Sequence, residues 1–391
     1  MNYLGIDIGT SGLRARLMDA QGTPICVAEQ AYPTAHPHPG WSEHDPENWT
    51  ATPDAAIAQL RSTHLEFSDV ADIGVVGHMH GAVLLETEAQ VLRPSILWND
   101  TRSHAQAHAL DAMPEFHELS GNIVFPGFTA PKLEWVREYE PQIFARTAWV
   151  LLPAGFMNHH LTGDFVADMS DSAGTSWLEV DARDWSAELL HASHMRPDQM
   201  PRLVEDSAAA RVLCADLVDR WGLRGDVTIA GGAGDNAAAA CGLGLLEEGQ
   251  GFVSLGTSGV LLLASYRPAP QKALHTFCHA VPDRWYQMAV MLSAADCLTW
   301  LASVTSSIPL ALTTALGMDI RAPKPVRFYP YLSGERTPHN DAGIRAGFAG
   351  LGADTTREDM TRAMLEGVCF GLRDGLEALR GWDRRHTAVL R

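Results

Sequence analysis

Four residues, Gly-Thr-Ser-Gly, occur twice in this chain in the same setting. At 9–12 they join the strand-like runs 3–8 and 13–19, and at 256–259 they join 252–255 and 260–265. Alternating apolar runs broken by a short turn with glycine at both ends predict a β-hairpin, the glycines tolerating positive φ. The copies lie 256 − 9 = 247 residues apart, far beyond the period of a stacked repeat. The doubled phrase therefore predicts two domains of related build, 1–244 and 245–391, which suits a chain of 391 residues.

Between and after the hairpins, strand patterns alternate with helical ones, the mark of an α/β fold. A buried strand is predicted at 72–76, ending in Gly77-His78-Met79-His80-Gly81, with extended runs at 82–86 and 149–152 and helical spacing over 129–138. A strand at 227–230 runs into Gly231-Gly232-Ala233-Gly234-Asp235-Asn236 and a small-residue helix at 237–242. The strongest helix is 355–379: Thr355 and Glu358 read as a capping box, Met360, Met364, Val368, Leu372 and Leu376 recur every fourth residue, and Gly381 can end it. A further strand opens at 387–390. The stretch 162–175 is polar and rich in Asp and Ser, and the acidic runs 134–140 and 205–206 read as solvated faces.

Charge narrows the partners. With 29 basic and 47 acidic residues the formal charge is −18, which excludes nucleic acid as the main partner, since that needs clustered Lys and Arg. The longest apolar stretches, 149–157 and 259–265, fall short of the roughly 20 residues a spanning helix needs, and the first ten residues lack the basic and apolar regions of a signal peptide. No membrane association is expected. Six scattered cysteines without a C-x-x-C pair read as reduced residues of a cytoplasmic protein, and the histidines show no metal-ligand spacing.

The doubled turn can do chemistry. Two such hairpins facing one another would present N–H groups and hydroxyls of Gly9, Thr10, Ser11, Gly256, Thr257 and Ser258 to a triphosphate, and backbone nests bind anions without net positive charge. Asp7, beside the first turn, could hold Mg²⁺ through water, a hard ligand for a hard ion. Asp235 follows a strand and precedes a helix, so it reads as an N-cap and equally as a carboxylate placed to take the proton of an alcohol attacking phosphorus. The glycines before it would let a substrate approach the backbone. Met79 and His80 offer an apolar contact and an imidazole for hydroxyls. Trp98, Asn99, Asp100 and Arg102 offer a stacking face and polar groups of the kind that recognise polyols, or else a strand-to-helix turn.

Taken in order, Ile6–Ser11, Gly77–Gly81, Leu97–Asp100, Pro126–Leu133, Asp168–Asp171, Asp184–Ser186, Gly234–Asn236, Ser254–Gly259 and Tyr331–His339 resemble the FGGY carbohydrate kinases, and among them those acting on D-xylulose. The likeness spans essentially the whole chain. It implies a two-lobed actin-like (ribonuclease H-like) ATPase fold and transfer of the ATP γ-phosphate to the 5-hydroxyl of D-xylulose in xylose catabolism. By the same resemblance Met79, His80, Asp235 and Asn236 touch the sugar, Asp235 is the catalytic base, Gly9–Ser11 and Gly256–Ser258 take the phosphates, and Asp7 serves the metal. ATP and Mg²⁺ are thus the expected cofactors and a small ketose the expected partner.

Four departures from the family pattern stand out. His78 replaces a usual Gln, which would alter a hydrogen bond beside the sugar; Ala154-Gly155 replaces Lys-Asp; and Ala239 replaces Gly. The fourth is length: family members continue beyond the strand opening at 387 into a Gly-Gly-Gly-Ala loop that holds adenosine, about 100 further residues, so the resemblance implies a second lobe incomplete at its C-terminus. The apolar face of the 355–379 helix would then lack packing partners and seek a second copy of the chain or a complementing C-terminal fragment. The alternative reading of such a chain is a catalytically impaired remnant, or a sugar-binding module without its adenosine segment.

Overall fold

A computed structural model describes residues 1–341, 343–382 and 389–390. Two compact units emerge: Met1–Gly244 with Phe277–Trp285, and Leu245–Thr276 with Tyr286–Arg391. The centre of the first is a mixed sheet in the order Ala209–Val212, Thr228–Ala230, Val70–Gly77, Asn2–Ile8, Gly12–Met18, Pro24–Ala31, with Ala233–Gly234 also pairing with Val70–Gly77. The three segments Asn2–Ile8, Val70–Gly77 and Thr228–Ala230 run parallel, Ala209–Val212 and Gly12–Met18 run antiparallel to them, and Pro24–Ala31 pairs antiparallel with Gly12–Met18.

The alternation seen in the sequence explains the first hairpin. Leu4, Ile6 and Ile8 of one strand and Leu13, Ala15 and Leu17 of the next are at most 1% exposed. They share a core with Trp49, Ile57 and Leu60 from the helix Pro46–Thr63 and with Phe156, Met157 and Leu161 from the helix Pro153–Thr162. Asp45 starts the first of these helices, its carboxylate accepting from the Glu47 N–H. A second cluster, around Phe116, Leu133, Val136 and Trp177, involves the helix Thr129–Tyr139.

In the second unit Gln250–Leu255 and Gly259–Ser265 form the other hairpin, with Leu255 opposite Gly259, and Val389–Leu390 runs parallel to Gln250–Gly251. The start of that last strand, at 387–388, lies outside the described residues. The long helix Arg357–Trp382 covers the hairpin: Leu372, Leu376 and Leu379 pack with Leu261 and Leu263. Met360, Met364 and Val368 on the same stripe pack with Cys297 and Leu301. The stripe thus finds partners within its own unit, with Met364 buried and Met360, Val368, Leu372 and Leu376 partly buried.

Several local expectations are corrected. None of Gly9, Gly12, Gly256 and Gly259 has positive φ. What the turns require is close approach, since a Cβ on Gly12 would lie 2.5 Å from the Gln30 carbonyl oxygen and one on Gly259 would lie 3.0 Å from Leu372. The capping box is one residue later than expected: Thr356 Oγ1 accepts from Asp359 N–H while the Asp359 carboxylate accepts from Thr356 N–H. Gly381 does not end the helix, which continues to Trp382. Nor are the acidic runs simply solvated. Asp206 and Glu134 are buried, the former accepting the N–H groups of Met169 and Ser170 and the latter paired with Arg137 and facing His194. All six cysteines are free, with Cys278 and Cys297 buried and Cys369 exposed. Among the described residues no single helix is long and apolar enough to cross a membrane.

The first strands of the two hairpins each carry a glycine, with different space around it. A Cβ on Gly251 would collide with the Leu262 carbonyl oxygen, whereas one on Gly5 meets nothing nearer than Arg16 O at 4.0 Å. Gly251→Ala should therefore destabilise by about 1–3 kcal/mol and Gly5→Ala by no more than about 0.5 kcal/mol. Urea unfolding midpoints of the two variants check this, and equal midpoints would contradict it.

Candidate active site

Register builds the site. In the first unit Ile8 pairs with Gly77, and Gly77 pairs with Gly234. Gly9, His78 and Asp235 are the next residues of three parallel strands, so they leave one edge of the sheet side by side. This is the carboxyl end of the strands, where open α/β sheets place their ligands.

At the first of these exits the turn 9–12 has its carbonyls tied into the fold. Gly9 O accepts from Tyr32 OH at 2.6 Å, Thr10 O from Thr34 Oγ1 at 3.0 Å, and Ser11 O from Tyr32 N–H at 3.4 Å. The indole of Trp98, 42% exposed, donates to Thr10 Oγ1 at 3.1 Å. The turn at 256–259 in the second unit follows the same plan: Gly256 O accepts from Ala295 N–H and Thr257 O from Ala294 N–H, at the start of the helix Ala295–Val304. The Gly9 N–H donates to Gly12 O and the Gly256 N–H to Ser258 O, so the groups left to offer are the N–H groups and hydroxyls of Thr10 and Ser11 in the first turn and of Thr257 and Ser258 in the second. Such a surface suits an anion.

The second exit carries Met79 and His80. His80 has a left-handed backbone, φ 69°, rare for a non-glycine residue. Its Nδ1 lies 2.7 Å from the Gly174 carbonyl oxygen and therefore bears a proton. The ring rests against Phe128 at 4.4 Å between centroids. The His80 carbonyl accepts from Lys132 Nζ at 2.6 Å and from Thr129 Oγ1 at 3.3 Å. His78, in contrast, turns inward: its Nδ1 donates to Ile8 O, its ring packs edge-on to Trp49 and His44, and burial drives its pKa down to about 3. It is a neutral, buried residue whose Nε2 has no hydrogen-bond partner among the described residues.

Asp235 stands at the third exit. It is the first residue of the helix Asp235–Gly242 and Gly234 is the N-cap, so the capping role expected of Asp235 falls one position short. Asp235 Oδ1 accepts from the Asn236 N–H at 2.7 Å and the Asn236 amide at 2.9 Å, and that amide lies 3.9 Å from Met79 Sδ. Solvent reaches the carboxylate, while protein crowds its other sides. That crowding, with the negative charge of Asp7, pushes its pKa up to about 6 against the pull of the Asn236 donors. Asp7 is half-buried, and burial raises its pKa too, opposed by Arg14 and Arg16. The glycines before Asp235 serve the chain's own packing: a Cβ on Gly231 would strike Glu205 O, and one on Gly234 would sit 3.1 Å from Met79 Cγ.

Other residues singled out from the sequence lie apart from this row. Asp100 and Arg102 form a buried ion pair at 2.7 Å, Arg102 also reaches Glu43, and its guanidinium lies 3.6 Å from the Trp41 ring centroid. They brace the first unit instead of presenting polar groups to a polyol. Ala154 is fully buried and a Cβ on Gly155 would lie 2.9 Å from Val166 O, so the pair that replaces two charges occupies space only small residues can fill. Among the described residues no group of three or more His, Cys, Asp and Glu side chains could hold a metal alone.

Sequence reasoning missed a layer of buried groups behind Asp235. Ser170 Oγ donates to Asp168 Oδ1 at 3.0 Å and accepts the Gly234 N–H at 3.0 Å, which anchors the residue just before Asp235. Burial raises the pKa values of Asp168, Asp171 and Asp206, and the neighbouring carboxylates raise the latter two further. Lys132 is fully buried, and desolvation lowers its pKa to about 7. One signal was available: Lys132 lies in the first turn of its helix, where a cation opposes the dipole and calls for a specific partner.

With this geometry in place, comparison with known proteins is informative. Residues 2–242 match the N-terminal domain of the FGGY family of carbohydrate kinases and 251–388 its C-terminal domain. The chain is 44% identical to a xylulose kinase of Escherichia coli strain K12 over 99% of its own length and 80% of that protein's. A crystal structure of a xyloylose kinase from Brucella ovis superposes with a TM-score of 0.96 at 52% identity, covering 98% of this chain and 80% of that one. A xylulose kinase from Rhodospirillum rubrum gives 0.92 at 27% identity with the same coverage. These likenesses bear out the actin-like α/β class.

Ser170→Ala would leave the buried Gly234 N–H without its acceptor. The expected cost is about 1–3 kcal/mol, measured by urea unfolding, and an unchanged midpoint would show that Ser170 does not anchor this strand end.

Proposed function

We propose that this chain, which belongs to the FGGY family of carbohydrate kinases, transfers the γ-phosphoryl group of ATP to the 5-hydroxyl of D-xylulose. The observation that carries the reading is the aligned exit of the Gly9 turn, the Met79-His80 pair and Asp235 from one sheet edge. The high identity to the E. coli and B. ovis xylulose kinases supports the choice of sugar.

In this reading Asp235 is the base. Its carboxylate, oriented through Oδ1 by Asn236, takes the proton of the attacking hydroxyl as the oxygen bonds to phosphorus and the bond to ADP breaks. A pKa of about 6 leaves it ionised at neutral pH yet more basic than an ordinary carboxylate. The His80 imidazole hydrogen-bonds a sugar hydroxyl, Met79 lies against the carbon chain with Asn236 beside it, and Trp98 borders the Thr10 turn. The N–H groups and hydroxyls of Thr10 and Ser11 receive phosphate oxygens, with the Gly9 N–H closing the turn onto Gly12 O, and in the second unit Thr257 and Ser258 offer the same groups, with the Gly256 N–H closing that turn onto Ser258 O. Asp7 would hold Mg²⁺ through water, and the ion would neutralise charge on the phosphates.

Two outcomes are expected. Because the base must be ionised and its pKa is raised to about 6, kcat/KM should be level above pH 7 and fall about tenfold per unit well below pH 6. Asp235→Asn should lose roughly 10²–10⁴-fold in kcat, and coupled ADP release with D-xylulose reads both. Full activity of the amide variant would refute the base assignment.

Gly174→Ala tests the sugar contacts separately. The added Cβ would lie 2.5 Å from His80 Nδ1 and 3.1 Å from Met79 Cε. The KM for D-xylulose should rise about tenfold or more while that for MgATP stays within about twofold. Equal changes in both would place His80 and Met79 outside the sugar site.

A further inference from the structure

Lys132 is buried with 0% exposure, and its one hydrogen bond among the described residues goes to a neutral acceptor, the carbonyl of His80 at 2.6 Å. No carboxylate pairs with it among the described residues: Asp100 is taken by Arg102, and Asp171 acts on it only from a distance. An ammonium taken out of water costs several kcal/mol, and an ion pair is the usual compensation. An apolar side chain of the same length would fill this space more cheaply. The cost calls for a return in geometry.

That return is visible at His80. A left-handed φ of 69° is unfavourable for histidine and persists only where surrounding contacts over-determine it. Three contacts do so here: Lys132 Nζ and Thr129 Oγ1 on the carbonyl, and Gly174 O on ring Nδ1. Both donors to the carbonyl come from the first turn of one helix, Thr129–Tyr139, so peptide and helix move as a body.

We propose that Lys132 is a positioning residue for sugar binding: its buried Nζ grips the His80 carbonyl and holds the left-handed peptide in the orientation that presents the imidazole to the ketose. It touches neither substrate nor nucleotide and acts only through His80. The inference rests on the sugar-binding role given to His80 above.

The test is a cycle of Lys132→Met and His80→Ala in the full chain, with KM measured separately for D-xylulose and MgATP. Lys132→Met should raise the ketose KM at least tenfold, leave the MgATP KM within twofold, and leave the melting temperature unchanged or higher. On the His80→Ala background it should add less than twofold, because its route to the sugar is already cut. Thr129→Val, which removes the second donor from the same carbonyl, should raise the ketose KM about threefold, again with no further effect beside His80→Ala, and serves if the methionine variant does not fold. A ketose KM within twofold of the parent for the folded variants, or effects that multiply independently of His80, would overturn the proposal. A parent chain that turns over no D-xylulose would instead refute the function proposed above. Parent turnover with an unaltered Lys132→Met variant sinks the positioning role alone.

Discussion

Parallel pairing of Asn2–Ile8 and Ala233–Gly234 with Val70–Gly77 is the constraint on which the candidate site depends. Residue-by-residue register places Ile8, Gly77 and Gly234 in one row, and the chain can do chemistry only just beyond them. Slipping any strand by one position would turn its buried side chains to the opposite face and carry its catalytic candidate away from the others. The apolar alternation of Leu4, Ile6 and Ile8 against Trp49 and Leu60 is what forbids the slip. Packing of the core thus sets the spacing of the chemistry.

Behind that edge lies a polar layer with high electrostatic stakes. Asp168, Asp171 and Asp206 are buried near one another with pKa values raised, while Ser170 links Asp168 to the strand end before Asp235. Lys132 performs the corresponding task for His80. A buried polar group costs stability unless it is satisfied, and those that are satisfied hold one backbone geometry in preference to its neighbours. Here the held geometries are those of the residues at the second and third exits from the sheet.

Much of this could be read without coordinates. Both Gly-Thr-Ser-Gly hairpins, the strand before Met79-His80, the strand before Asp235 and the amphipathic helix of the second unit follow from local periodicity and turn chemistry. Errors arose where a residue's role depends on distant neighbours. The turn glycines looked like φ switches and proved to be sites of close approach, Gly12 to Gln30 O. Acidic Glu134 and Asp206 looked solvated and proved buried: beside its local partner Arg137, Glu134 meets His194, and Asp206 accepts from Met169 and Ser170, neighbours distant in sequence that no local pattern reveals.

The amino-acid sequence alone determined which segments become strands, turns and helices, because those choices rest on contacts within a few residues: alternation, capping groups and small residues at tight turns. It also carried the ordered motifs that mark the family. Only the tertiary structure decided that a lysine would grip a carbonyl 52 residues away, and that a serine would anchor a backbone N–H 64 residues away. Such partnerships depend on the register and packing of whole elements, which no local pattern encodes.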